Sequence, residues 1–143
     1  MGMMEEKIKE LLKHHSHRYI EMALRTDKRR RIANADGYGK RTGACGDTVE
    51  IFVQVGDGIL QDICFETDGC LNTSACANTV ISLSEGKPIE NAWEIEADDI
   101  ISYLETLPPE ENHCAELAAG AFYLALSNYQ EMKRAPWKKL YGS

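Results

Sequence analysis

An α+β fold, with a small antiparallel sheet packed against helices, is what the sequence predicts, and three observations carry it. Apolar residues at 49–55 alternate with polar ones at the two-residue period of a half-buried strand. The Gly56-Asp57-Gly58 step, followed by a second β-rich run at 59–67, returns the chain as an antiparallel hairpin. On both sides of that hairpin the apolar residues recur at three- and four-residue steps, the period of amphipathic helices.

Taken in order, residues 5–24 predict one N-terminal helix, with Ile8, Leu11, Leu12, His15, Tyr19 and Ala23 along one side. Residues 25–40 are polar and end in Asp36-Gly37-Tyr38-Gly39, which predicts irregular chain with turns. Within that segment, 30–33 is a candidate short edge strand, which makes a third strand possible. In the first hairpin strand Val49, Ile51, Val53 and Val55 share a face, with Glu50 and Gln54 on the other. In the second, Ile59, Ile63 and Phe65 oppose Asp62, Cys64 and Glu66. Asn72, Thr73 or Ser74 is expected to cap a helix running to about residue 85, where Gly86 stops it. Residues 88–93 predict a short helix, and Asp98 or Asp99 opens another through 104. Leu107-Pro108-Pro109 breaks the chain. Pro109-Glu110-Glu111 then opens a long terminal helix, with acidic side chains at its positive end. It runs to about residue 134, turns Leu117, Ala121, Leu124, Ala125 and Tyr129 inward, and ends at Pro136. Residues 1–143 read as one domain with helices over one sheet face, long enough to bury about two-thirds of its unfolded surface.

Composition excludes several functions. Sixteen basic against 23 acidic residues give a net charge of −7, which argues against nucleic acid or an anionic membrane as partner. No apolar stretch reaches the ~18–20 residues of a membrane span, the best being 117–126. Residues 1–17 are charged and histidine-rich, unlike a secretory signal, and Glu6 breaks the myristoylation pattern. A cytoplasmic location is expected. The sequence has no phosphate-binding glycine loop, Gly-x-Ser-x-Gly or His-Glu-x-x-His. His14 and His17 share a helical face and read as a solvated cluster, and Lys28 to Arg31 as a solvated or protein-facing patch.

Five cysteines, an odd number, fit reduced thiols used as ligands or nucleophiles better than a disulfide framework. None forms Cys-x-x-Cys, so any site must be gathered by the fold. Cys45, in Gly43-Ala44-Cys45-Gly46-Asp47, enters the first hairpin strand, and Asp47 lies two residues on, where extended chain turns both side chains the same way. Cys70, in Asp68-Gly69-Cys70, leaves the second strand. The hairpin therefore sets Cys45 and Cys70 at one end of the sheet. His113-Cys114 falls in the first turns of the last helix, and the helix dipoles are expected to favour thiolate at Cys70 and Cys114. Three thiols with Asp47 and His113 supply enough ligands for a tetrahedral metal or a small iron–sulfur cluster. Cys76 shares a helical face with Val80 and Leu83 and reads as a core thiol. Cys64, between Asp62 and Glu66, reads as exposed or partly covered and not ligating.

These motifs resemble the IscU/NifU-type scaffold of iron–sulfur cluster assembly over roughly residues 43–130. The resemblance rests on Gly-Ala-Cys-Gly-Asp at 43–47, Phe-Glu-Thr-Asp-Gly-Cys at 65–70, the Leu-Pro-Pro break and His113-Cys114. It implies a core over 43–134 and Cys45, Cys70 and Cys114 as thiolates to a transient 2Fe–2S cluster. Asp47 and His113 are the alternate fourth ligands, and Asp47 tunes cluster release. A cysteine desulfurase would deliver sulfur to Cys114, iron would join there, and the cluster would pass to apo iron–sulfur proteins. The chain would be a scaffold rather than an enzyme, monomer or homo-oligomer, with zinc able to occupy the same ligands in purified protein.

Two departures from the pattern stand out. Residues 25–31 are basic and proline-free where the family has an Asn-Pro-Arg-Asn-like stretch. Glu111 replaces the lysine of the family's chaperone-binding motif, which sets recognition by the specialised Hsp70 in question. The second and third modules of full NifU proteins have no counterpart, so the resemblance implies a stand-alone scaffold domain. A SufU-like zinc sulfurtransferase is the rival within the superfamily, against which the 44-residue step from Cys70 to Cys114 and His113 both speak. A structural zinc or interaction domain is the third alternative.

Overall fold

Two helices open the chain where the sequence predicts one: α1 (Gly2–His14) and α2 (His17–Leu24). The computed structural model describes residues 2–135. The break falls at Ser16, which takes an extended backbone and accepts from Tyr19 N (3.1 Å) as the N-cap of α2. Its hydroxyl also donates to Leu104 O at 2.8 Å, so the cap and a tertiary bond are made together. Leu12, expected inward, is exposed.

Three antiparallel strands follow in the order β1 (Gly37–Thr42), β2 (Thr48–Gly56), β3 (Ile59–Thr67). The β2–β3 hairpin is the one the alternation predicts, and the third strand exists. It lies at 37–42, inside the turn-rich segment, rather than at 30–33, so the sheet begins before residue 43. The reason is tertiary. A Cβ on Gly39 would stand 2.2 Å from Ala121 O and 2.4 Å from Ala125 N. Glycine thus lets strand backbone touch helix backbone, a contact that overrides the turn propensity of the segment. In β2, Val49, Ile51 and Val53 are fully buried, as the period requires. A bulge between Gln54 and Val55 then shifts the register, so Leu60 is buried while Ile59 and Val55 are only partly covered.

The remaining elements are α3 (Leu71–Ser84), α4 (Ile89–Ala92), α5 (Ala97–Leu104), a 3₁₀ turn (Pro109–Glu111) and α6 (Asn112–Arg134). The cap of α3 is Cys70, one turn earlier than the hydroxyl and amide residues suggest. Pro109 opens the 3₁₀ turn, and α6 proper starts after it. Pro136, expected to end α6, lies outside the described residues. On α6, Leu117, Ala121 and Ala125 are buried as expected, but Leu124 is exposed and Tyr129 only half-buried. The helix passes so close to β1 that its contact face is built of small residues, and the long side chains flank it. Phe65, Phe122, Ile51, Ile63 and Ile81 fill the layer between sheet and helices, each contributing about 1.5–3 kcal/mol of apolar burial. The Asn78 amide donates to Met22 O (2.8 Å) and Arg25 O (3.0 Å), which fastens the end of α2 to α3. No described helix is long and apolar enough to cross a membrane.

The basic segment is not simply solvated. Lys28 bonds Asp62 (3.1 Å) and Glu85 (2.6 Å), Arg30 bonds Asp62 (2.9 Å), and Arg31 bonds Glu50 (2.6 Å). Phe65 N donates to Lys28 O at 2.9 Å, so this strap runs along the free edge of β3. It also explains Cys64, which is fully buried rather than exposed. Burial beside Asp62 pushes its thiol up to about 11.

Gly39→Ala should cost on the order of 1–3 kcal/mol by overpacking, since the added carbon meets backbone that no rotamer change can clear. Thermal unfolding should show a Tm about 2–10 °C lower; an unchanged Tm would contradict this packing.

Candidate metal centre

Three segments converge at one end of the sheet. The loop before β2 is closed by Gly43 N to Asp47 O (2.9 Å) and Gly46 N to Gly43 O (3.0 Å). It carries Cys45 and Asp47. Thr48 N donates to Asp68 Oδ1 at 2.7 Å, which ties this loop to the exit of β3, where Gly69 and Cys70 lead into α3. The third segment is the 3₁₀ turn and first turn of α6, bearing Glu111, His113 and Cys114.

The side chain at the centre is Thr73, fully buried in the first turn of α3. Its hydroxyl donates to Asp47 Oδ2 (3.4 Å) and lies 3.5 Å from Cys114 Sγ and 4.0 Å from Cys70 Sγ. One hydroxyl therefore touches a residue of each segment. A Cβ on Gly69 would come within 2.6 Å of this oxygen, so glycine there is what admits it. Cys45 is exposed and projects from a loop that lies against Leu117, one turn along α6 from Cys114. Cys70 is likewise exposed.

Cys114 is different. It is fully buried, and its thiol donates to Glu111 Oε2 at 3.5 Å. Burial pushes it up to about 12, the Thr73 hydroxyl opposes the shift, and the Glu111 carboxylate adds to it. The helix dipole expected to favour thiolate is outweighed here by desolvation and a neighbouring negative charge. Cys76 is buried in the core as its position predicts, and burial pushes it well above the ordinary range. Tyr19 is pushed up to about 12, chiefly by burial and then by the nearby thiols and Glu111. Its hydroxyl donates to Asn72 Oδ1, and His15 stacks on its ring.

Among the described residues, Glu111, His113 and Cys114 offer ligand atoms that all lie within 4.8 Å of one another. Cys45, Asp47 and Cys70 are brought to the same place but not into that group. Sequence reasoning missed two members. Thr73 reads only as a possible cap, and Glu111 as a charge at a helix start and a departure from the chaperone-binding motif, neither of them as part of the site. The available signal is spacing: Cys70–Thr73 and Glu111–Cys114 are both three residues apart, one helical turn. His14 contacts Glu10 at 3.5 Å and is exposed, remote from these residues in sequence.

With this geometry in hand, the chain can be set beside known proteins. A family model described as the NifU-like N-terminal domain matches residues 24–136. Two proteins of Archaeoglobus fulgidus, named iron–sulfur cluster assembly scaffold proteins IscU 1 and IscU 2, are each 36% identical over 100 residues. That match covers 69% of this chain but 65% of theirs, so the chain spans less than two-thirds of their length. The Escherichia coli protein named IscU is 37% identical over 93 residues, 64% of this chain and 72% of that one. Two solved structures share the fold. One is a NifU-like N-terminal protein from Brucella abortus, with TM-score 0.64 and 16% identity, covering 84% of this chain and 94% of that one. The other is a putative SUF-system scaffold from Fervidobacterium islandicum, with TM-score 0.65 and 20% identity, covering 80% and 97%.

Limited alkylation near pH 7.5 should label Cys45 and Cys70 first, with Cys114 slower by about tenfold or more because it is buried and protonated. The Cys114 rate should climb with pH, since thiolate accumulates only as pH approaches about 12. Mass spectrometry of the alkylated peptides reads the order, and early labelling of Cys114 would overturn the assignment.

Proposed function

The chain belongs to the NifU-like N-terminal domain family, and from that premise we propose that it is a scaffold for iron–sulfur cluster assembly. Cys45, Cys70 and Cys114 hold a transient 2Fe–2S cluster, with Asp47 or His113 as fourth ligand. The observation that supports this most directly is the convergence of three segments, each carrying one of these thiols, around the Thr73 hydroxyl. Thiolate, imidazole and carboxylate donors suit iron and zinc alike. Exposure of Cys45 and Cys70 suits a cargo that must be loaded and released, in contrast to a closed structural zinc site.

The partners this reading requires are a cysteine desulfurase and apo iron–sulfur proteins. In the sulfur step, the outer sulfur of a desulfurase persulfide bonds to Cys114 Sγ as its bond to the desulfurase breaks, and the desulfurase thiolate leaves. Reduction of that sulfur to sulfide takes two electrons from an external thiol or ferredoxin. Cys114 must first be uncovered, and the 3₁₀ turn over it contains no buried residue. Moving the turn aside therefore costs little apolar burial. Asp47 shares the Thr73 hydroxyl with the thiols, which suits it to tune how tightly the cluster is held.

Anaerobic incubation with iron, cysteine, dithiothreitol and a cysteine desulfurase should build a cluster that passes to an apo-ferredoxin. Cys45→Ser, Cys70→Ser and Cys114→Ser should each lower the transferred cluster about tenfold or more, while Cys76→Ser should chiefly lower the Tm. Full assembly by Cys70→Ser would remove the ligand assignment. Persulfide formation without a cluster, on protein retaining zinc, would point to a sulfurtransferase instead. Asp47→Ala should slow transfer to the apo-ferredoxin, and an unchanged rate would end its role in release.

A further inference from the structure

The ligand set drawn from sequence leaves out Glu111, yet its carboxylate touches two of the residues in that set. One oxygen, Glu111 Oε2, lies 3.5 Å from Cys114 Sγ and 3.6 Å from His113 Nε2. A tetrahedral zinc or ferrous ion with bonds of about 2.0–2.3 Å sets its ligand atoms roughly 3.3–3.8 Å apart. Both Glu111 spacings fall in that range, and His113 Nε2 and Cys114 Sγ lie within 4.8 Å of each other, so closing all three on one ion takes a rotation of the His113 ring. We infer that Glu111 is a further direct ligand, beside His113 and Cys114, when this centre holds one divalent transition metal.

The argument is local. All three residues sit within four positions at the junction of the 3₁₀ turn and α6, so their spacing is set by a single turn of chain. They supply one oxygen, one nitrogen and one sulfur, a mixed set that suits iron(II) and zinc(II) and matches neither an all-oxygen calcium cage nor an all-thiolate cluster. Three protein ligands leave a fourth position open, as in metal sites that exchange a ligand. His113 and Glu111 are half-buried, so the site can be reached from solvent, while Cys114 anchors it from beneath. Binding exchanges the Cys114 thiol proton for the metal, and the proton leaves to buffer.

Within the scaffold reading, on which its biological use rests, this site is where the first iron lands. Cys45 and Cys70 on the other two segments then complete a two-iron cluster around it. The negative charge of the Glu111 carboxylate attracts that cation.

Cobalt(II), a spectroscopic stand-in for zinc and iron(II), tests the site without any cluster chemistry. Anaerobic titration of the apo-protein should give one equivalent of bound metal with a thiolate-to-cobalt charge-transfer band and tetrahedral visible bands. His14→Ala, at an exposed histidine outside the centre, should keep that stoichiometry and bind within about threefold of the unaltered protein. Glu111→Gln and His113→Ala should each weaken binding about tenfold or more, with circular dichroism unchanged, and Cys114→Ser should abolish the charge-transfer band. Glu111→Asp should recover part of the affinity that Glu111→Gln loses. Undiminished binding by Glu111→Gln, loss of binding in His14→Ala, or no binding by the unaltered protein would each overturn the inference. A protein that passes these tests but builds no cluster would count against the scaffold reading and leave the metal site standing.

Discussion

The close approach of β1 to α6 is the constraint on which the arrangement depends. Gly39 lets the strand backbone come so near that a single carbon would collide with Ala121 O. The helix answers with Ala118, Ala121 and Ala125, all fully buried. This contact fixes where α6 lies on the sheet. Since Cys114 is in the first turn of that helix, it also fixes how far Cys114 stands from the ends of β2 and β3. A looser seam with larger side chains would carry the N-terminus of α6 away from Cys70 and the Cys45 loop. A backbone contact some two turns from Cys114 thus positions the centre.

Polarity at the centre is graded from one thiol to the next. Cys45 and Cys70 face solvent, Cys114 is covered by the Glu111 turn, and Cys76 is sealed in the core. Burial acts oppositely on a thiol and on the metal-bound thiolate it becomes, because a low-dielectric site disfavours uncompensated charge. A buried thiol held neutral in the empty protein is stabilised as thiolate once a cation sits on it. The exposed pair needs no such compensation. Under the proposed scaffold function, this asymmetry suits a protein that keeps one inner ligand covered while offering outer ones to incoming cargo.

The basic strap at 28–31 shows a different use of charge. It lies along β3, where Lys28 O accepts from Phe65 N and blocks an open sheet edge. Its side chains satisfy Asp62, Glu85 and Glu50, which would otherwise repel one another on an acidic protein. Arg31 also lies over the Phe52 ring at 4.8 Å. The strap therefore completes the second face of the sheet, and Cys64 is dry because of it.

Much of the fold was written in local pattern. Two-residue alternation at 49–55 and 59–67 named the hairpin, helical periods named the helices, and the proline pair marked the break before α6. Hairpin topology alone predicted that Cys45 and Cys70 meet at one end of the sheet, because a chain that goes out and back must. What stayed hidden depended on contacts between segments distant in sequence. A run of glycine and polar residues at 37–42 becomes a strand only because α6 offers it a flat wall of alanine. The break at Ser16 needs Leu104 O, a partner 88 residues away. Cys64 looks exposed until the strap is laid over it. The protonation of Cys114 follows from burial and from Glu111, and no helix-end rule contains either. Sequence determines which ligands and elements are available, through short-range periodicity and residue chemistry. The tertiary structure decided which groups share a low-dielectric space, because burial and through-space charge belong to neighbours that the order of residues does not name.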